Sequence, residues 1–309
     1  MKHTILLLCF FYSWSIRQTF SQSRPVEVSY TNDAAKNEYT FRYQNPNSCD
    51  YTVKVEFTGL QGGTCSCSLP FVESVTSGTG TLFTLKPSQP NQGISFRFSY
   101  SYQKGRLLSK PPKSFIYLFP FSKNEAHRAN QTQNIMETIA GKKVPDFYGM
   151  AFQMRKGDTI YATRRGIVSE IKDEFETHSD GVWFSTQTNF VEVFHQDGTF
   201  GKYNRFKKGT MLVKEGQRVE AGQPLGVVAD DTFEGNTVAQ FTVYYLVKST
   251  NLTDKGYTHS YVIPTFYTNT NPSGVILQQG AFYSSDWPES IVTQEMSKRE
   301  VKKWKEEKK

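Results

Sequence analysis

Between residues 26 and 108 apolar and polar positions alternate with a period of two. Residues 38–43 (Glu-Tyr-Thr-Phe-Arg-Tyr), 51–57 and 94–100 each put their large apolar side chains on one face, as half-buried strands do. Gly62-Gly63, Ser77-Gly78-Thr79-Gly80 and the stretch 87–93 supply turns between them. Short strands at regular spacing, with no helical period, predict a small β-sandwich over residues 22–112. Ser109-Lys110-Pro111-Pro112-Lys113 interrupts the alternation stiffly and marks a domain boundary. A second domain, 113–285, opens on the apolar run 115–121 and continues as strands at 159–163, 166–171, 190–195, 199–203, 240–247 and 260–266. Within it, 213–226 repeats glycines at intervals suited to tight turns between short strands. Trp287-Pro288-Glu289-Ser290 reads as a helix start. The predicted basic C-terminal helix fills 286–309, anchored by Ile291, Met296, Val301 and Trp304.

Composition changes this picture in three places. The N-terminus has a short basic start, Met1-Lys2-His3, and an apolar run over 5–16. Thr19 and Ser21 then stand at the positions a signal peptidase prefers, so residues 1–21 read as an export signal. The net charge is +7, but the tail 297–309 concentrates bases, leaving the body near neutrality; a nucleic-acid surface is not implied. Of 4 Cys, the export signal contains Cys9. Oxidising conditions outside the cytoplasm then favour one disulfide between Cys49 and either Cys65 or Cys67, leaving one thiol.

Four segments of the second domain, 157–168, 191–203, 213–226 and 261–266, taken in that order resemble the lysostaphin/LytM-type zinc peptidoglycan endopeptidases, in an envelope form found in Bacteroidota. Residues 157–168 (Gly-Asp-Thr-Ile-Tyr-Ala-Thr-Arg-Arg-Gly-Ile-Val) are similar to the family's first hairpin. Residues 191–199 (Val-Glu-Val-Phe-His-Gln-Asp-Gly-Thr), followed by Lys202-Tyr203, are similar to its V-x-V-x-H-x-D-G-T…Y hairpin. The glycine cadence of 213–226 and the strand Tyr261-Val262-Ile263-Pro264-Thr265-Phe266 follow in family order. The resemblance implies a mainly β fold, with an antiparallel, duplicated-hybrid-motif-like domain beside the sandwich.

It also implies a zinc held by two His and one Asp, with further His assisting catalysis. Matched to this chain, the ligand Asp position falls on Ala151, in Tyr148-Gly149-Met150-Ala151-Phe152, and the stretch 138–147 offers no His for the first ligand. The strand carrying a catalytic His and then the third ligand becomes Val238-Ala239-Gln240-Phe241. The remaining catalytic position falls on Arg205 in Tyr203-Asn204-Arg205. His195 belongs to the strand framework in the family, and Asp146 or Glu137 would lack partner histidines. Alanine and valine cannot bind zinc, and a fixed guanidinium repels it.

The expectation is therefore a catalytically inactive pseudopeptidase without cofactor or metal, acting as a binding or scaffold subunit of the bacterial envelope. Its partners would be peptidoglycan or an envelope protein, within a larger secretion or cell-wall assembly. Arg205, Gln240, Tyr203 and Tyr148 are the groove-binding candidates. Its location would be the periplasm, the outer membrane or outside a Gram-negative cell. The alternative is an active zinc endopeptidase with displaced ligands. A biotinyl- or lipoyl-type carrier is excluded, since no exposed hairpin-tip Lys lies between Val213 and Val247 in the required setting.

Overall fold

The computed structural model describes residues 25–133, 144, 146–176, 187–230, 237–249 and 256–307. The expected export segment 1–21 and Glu137 lie outside the described residues.

Seven N-terminal strands form two sheets. They are β1 (Glu27–Asp33), β2 (Glu38–Asn45), β3 (Tyr51–Gln61), β4 (Gly63–Thr64), β5 (Phe71–Val75), β6 (Gly78–Pro87) and β7 (Ser95–Lys104). One sheet runs β1-β2-β6-β4 and the other β5-β3-β7. Their apolar faces meet in one core: Phe41 stacks on Phe83 at 4.7 Å and meets Phe57 and Phe98 of the other sheet edge-on. The alternation read from sequence is thus the inward face of a sandwich.

The remaining strands are β8 (Ile116–Tyr117), β9 (Ala126–Thr132), β10 (Gly149–Met154), β11 (Thr159–Tyr161), β12 (Gly166–Lys172), β13 (Phe190–Phe194) and β14 (Phe200–Asn204). After them come β15 (Arg218–Val219), β16 (Pro224–Val227), β17 (Thr237–Lys248), β18 (Tyr257–Tyr261), β19 (Thr265–Thr268), β20 (Asn271–Val275) and β21 (Phe282–Ser284). A nine-stranded sheet takes the order β15-β12-β13-β14-β17-β10-β9-β21, with β18 also paired to β17. Its inner face packs Phe152, Phe241, Tyr203 and Val193 against Phe119, Phe121 and Phe266. At one end of its outer face, Phe194 and Phe200 enter the sandwich core, so the two bodies share apolar packing. The chain is mainly β, and no described helix is long and apolar enough to cross a membrane.

The glycine cadence forms turns as expected. Gly216 and Gly222 adopt φ of 78° and 82°, a region other residues enter at a cost. Gly222 also lies against the Trp287 ring.

Three expectations are corrected. The single strand 260–266 is two strands, because Pro264 has no N–H to continue the ladder of β18. The C-terminal helix is broken into α1 (Glu289–Val292) and α2 (Lys298–Glu307). Glu295 turns inward between them to meet Arg164. Ser297 then starts α2 as a capping box, its hydroxyl accepting from Glu300 N–H while the Glu300 carboxylate accepts from Ser297 N–H.

The third correction is the disulfide, which joins Cys65 to Cys67 and excludes Cys49. Strand β4 ends at Thr64, and the following bend brings the two Cα atoms to 5.2 Å, within bridging range. Cys49 is buried in the sandwich core, and burial pushes its thiol up to about 12. Alkylation of denatured, unreduced protein, followed by peptide mapping, should label Cys49 and leave 65 and 67 in one linked peptide. A linked Cys49 peptide would contradict this arrangement.

Candidate functional site

Strand register decides which of the sequence candidates can act together. Ala151 of β10 pairs with Gln240 of β17, and Gln240 pairs on its other side with Asn204 of β14. Asn130 of β9 completes the row beyond Ala151. Directly paired residues share a face, so Asn130, Ala151, Gln240 and Asn204 form one line across the outer face of the sheet. Val238, two residues before Gln240, lies on the same face. The positions assigned by resemblance to two ligands and a catalytic histidine therefore do converge.

Arg205 follows directly at the end of β14 with φ of 75°. Its N–H donates to Asn189 O at 3.0 Å, and its own carbonyl accepts from Ala229 N at 2.7 Å. Arg205 is half-buried and adjoins Asn204, the last residue of the row, along the chain.

Both tyrosine candidates fall elsewhere. Tyr203 is fully buried on the inner face, where its hydroxyl accepts from Thr163 N–H at 2.8 Å and bonds the Thr163 hydroxyl at 2.7 Å. Tyr148 is half-buried against the same inner core, and burial together with Tyr283 raises its phenol. Strand alternation puts even-numbered positions of β10 on the core side, so a Tyr at 148 cannot share a face with Ala151.

The donor set does not fit zinc. Ala151 and Val238 present no ligand atom, and Asn130, Gln240 and Asn204 offer neutral carboxamides in place of imidazole and carboxylate. His195 is buried in the framework, with Nδ1 donating to Arg165 O at 2.7 Å. A Cβ on Gly201 would come within 2.9 Å of its Nε2, which explains a glycine mid-strand. The adjacent Asp197 holds the hairpin by accepting from Thr199 N–H and Oγ1, and pairs with Arg164 at 2.8 Å.

Burial, with the nearby Arg164 cation, holds His195 well below the usual imidazole range. The unfolded chain takes up a proton below about pH 6.5 that the folded chain refuses. Its contribution is therefore complete above that pH and is lost as pH falls. The loss amounts to about 1.4 kcal/mol between pH 7.5 and 5.5. His259, also lowered by burial, adds in the same direction. Urea midpoints at the two pH values should show this loss, and His195→Asn should reduce it; an unchanged dependence in that variant would remove His195 as the cause.

Sequence reasoning missed Arg164, which heads the large fully buried side chains among the described residues. Its guanidinium grips Glu295 through Nε and Nη2 at 2.8 and 2.7 Å and lies 3.6 Å above the Phe115 ring. No local signal marks it, because its partners come from distant segments.

Comparison with known proteins agrees with this domain. Residues 146–252 match the model of Peptidase family M23. A Peptidase family M23 domain of the LytM type thus occupies this part of the chain. Among solved structures, the chain is similar to the deep-sea M23 metalloprotease pseudoalterin, with 15% identity over 48% of this chain and 92% of that one, at TM-score 0.29. A putative peptidase M23 from Pseudomonas aeruginosa has 14% identity over 72% and 90%, at TM-score 0.28. Helicobacter pylori Csd3 has 12% identity over 90% and 83%, at TM-score 0.29. At these TM-scores the likenesses carry no argument about function. No curated protein matches the chain.

Proposed function

We propose that this chain is a catalytically inactive LytM-type pseudopeptidase, exported to the bacterial envelope, where it serves as a binding or scaffold subunit. The observation that supports this reading is the row Asn130–Ala151–Gln240–Asn204, in which carboxamides and a methyl group stand where metal chemistry would require imidazole and carboxylate. A carboxamide both donates and accepts, so such a row suits the N–H and C=O groups of an extended peptide without activating it. Arg205, the next residue after Asn204, would supply a cation suited to a carboxylate on the same ligand. The occupant is then a peptide of the cell wall or a segment of an envelope partner.

The test combines digestion and binding. Full-length mature protein supplied with Zn²⁺ should release no muropeptides from purified sacculi, yet should co-sediment with sacculi or with a cross-linked envelope partner. Gln240→Ala with Arg205→Ala should weaken that association about tenfold or more, the loss of a charge-assisted hydrogen bond of ~1.5–3 kcal/mol. Soluble cleavage products from the wild-type protein would overturn the proposal.

A further inference from the structure

On the inner face of the nine-stranded sheet, opposite the carboxamide row, three further groups converge. Glu125 precedes β9, His127 lies in β9, and Asp158 closes the turn between β10 and β11. One ligand atom from each lies within 4.8 Å of the others. The histidine is the informative member. The residue is 5% exposed, and its ring is wedged against Phe121 at a centroid distance of 4.4 Å. Nδ1 lies 2.6 Å from the Gln153 backbone carbonyl. A carbonyl only accepts, so the proton must sit on Nδ1. Nε2 then faces Glu125 Oε2 at 3.1 Å.

Two acceptors so close need something positive between them. A second ring proton would serve, and so would a metal ion. The spacing suits the ion: two ligands at ~2.0–2.1 Å from a tetrahedral centre stand about 3.3 Å apart. Metal-bound histidines also commonly donate their second ring N–H to a backbone carbonyl, which fixes tautomer and ring plane, as Gln153 does here. Asp158 is preset too. One of its oxygens, Oδ2, accepts from Arg155 N–H at 2.7 Å, which fixes the carboxylate in the turn. The Arg155 guanidinium approaches Glu125 through Oε1, at 3.9 Å, and is exposed enough to swing into solvent.

The geometry points to a divalent transition-metal site, best suited to zinc, formed by Glu125, His127 and Asp158. One imidazole and two carboxylates favour zinc over calcium, which prefers an all-oxygen shell. The ion would clip the start of β9 to the β10–β11 turn. It lies across the sheet from Ala151 and Gln240 and does not depend on the reading of that row.

Chelator-stripped full-length protein titrated with ZnCl₂, against a competing chromophoric chelator, tests the site. One equivalent of zinc should bind and raise the melting temperature, with CaCl₂ giving no such shift. Asp158→Asn, which preserves the turn's acceptor, and Glu125→Gln should each weaken binding tenfold or more while circular dichroism stays unchanged. His127→Gln should do the same if it folds. Absence of stoichiometric zinc in the wild-type protein overturns the site. So does binding that survives both carboxylate variants; if that zinc is instead lost in Gln240→Ala, the metal belongs to the carboxamide row and the pseudopeptidase reading falls as well.

Discussion

Replacing Arg164 with Met is expected to cost ~3–5 kcal/mol of stability, because it leaves Asp197 and Glu295 as unpaired, largely buried carboxylates. Water cannot fully rescue either group: the Glu295 side chain is only 9% exposed and Asp197 only 15%. The guanidinium also forfeits its contact with the Phe115 face. Thermal melts should fall by on the order of 10 °C for a chain of this size. The C-terminal segment should loosen with it, since Glu295 is the residue that turns that segment inward between α1 and α2. Proteolysis should then cut near 293–297 before the rest of the chain. Arg164→Met combined with Glu295→Gln and Asp197→Asn should recover part of the loss, because the uncompensated charges are gone. A melt within a degree or two of wild type for the single variant would show that the network contributes little.

Lys104→Met is expected to have a comparable effect, at the junction of the sandwich and the nine-stranded sheet. Lys104 leaves the end of β7 and meets Glu192 and Glu170, each at 2.5 Å. Glu192 is almost fully buried and also accepts from Ser169 and Tyr244 hydroxyls. Although burial opposes its ionisation, Lys104 and these hydroxyls together hold its carboxyl below the usual range. Removing the ammonium strands that charge, at a cost of ~3–5 kcal/mol. Stability of the single variant should recover partly with Glu192→Gln in the same chain. Chemical denaturation of the two variants beside the wild type measures both terms, and additive losses in place of recovery would refute the coupling.

Both networks show where reading the sequence stops. The strands with clear two-residue alternation, such as 38–43 and 51–57, start where expected, because local alternation is enough to choose the buried face. The same rule, applied without the register, misplaced Tyr203 and Tyr148. Their aromatic character suggested a groove, while strand parity turns them into the core. Pro264 could have been read as a strand break from its missing N–H. The helix break could not, because it depends on Glu295 reaching Arg164 across 131 residues.

Sequence alone determined the β-rich class and the turn glycines, since each follows from residue type and local spacing; that Ala151 and Gln240 stand at metal-ligand positions, and Val238 and Arg205 at catalytic ones, is what the family resemblance implies. Only the tertiary structure decided that Ala151, Gln240, Asn204 and Asn130 stand in one row, that Cys65 pairs with Cys67, and that Arg164 and Lys104 join distant segments. These are matters of register and of long-range pairing. A one-residue slip between strands would leave every local pattern intact and send every side chain to the other face.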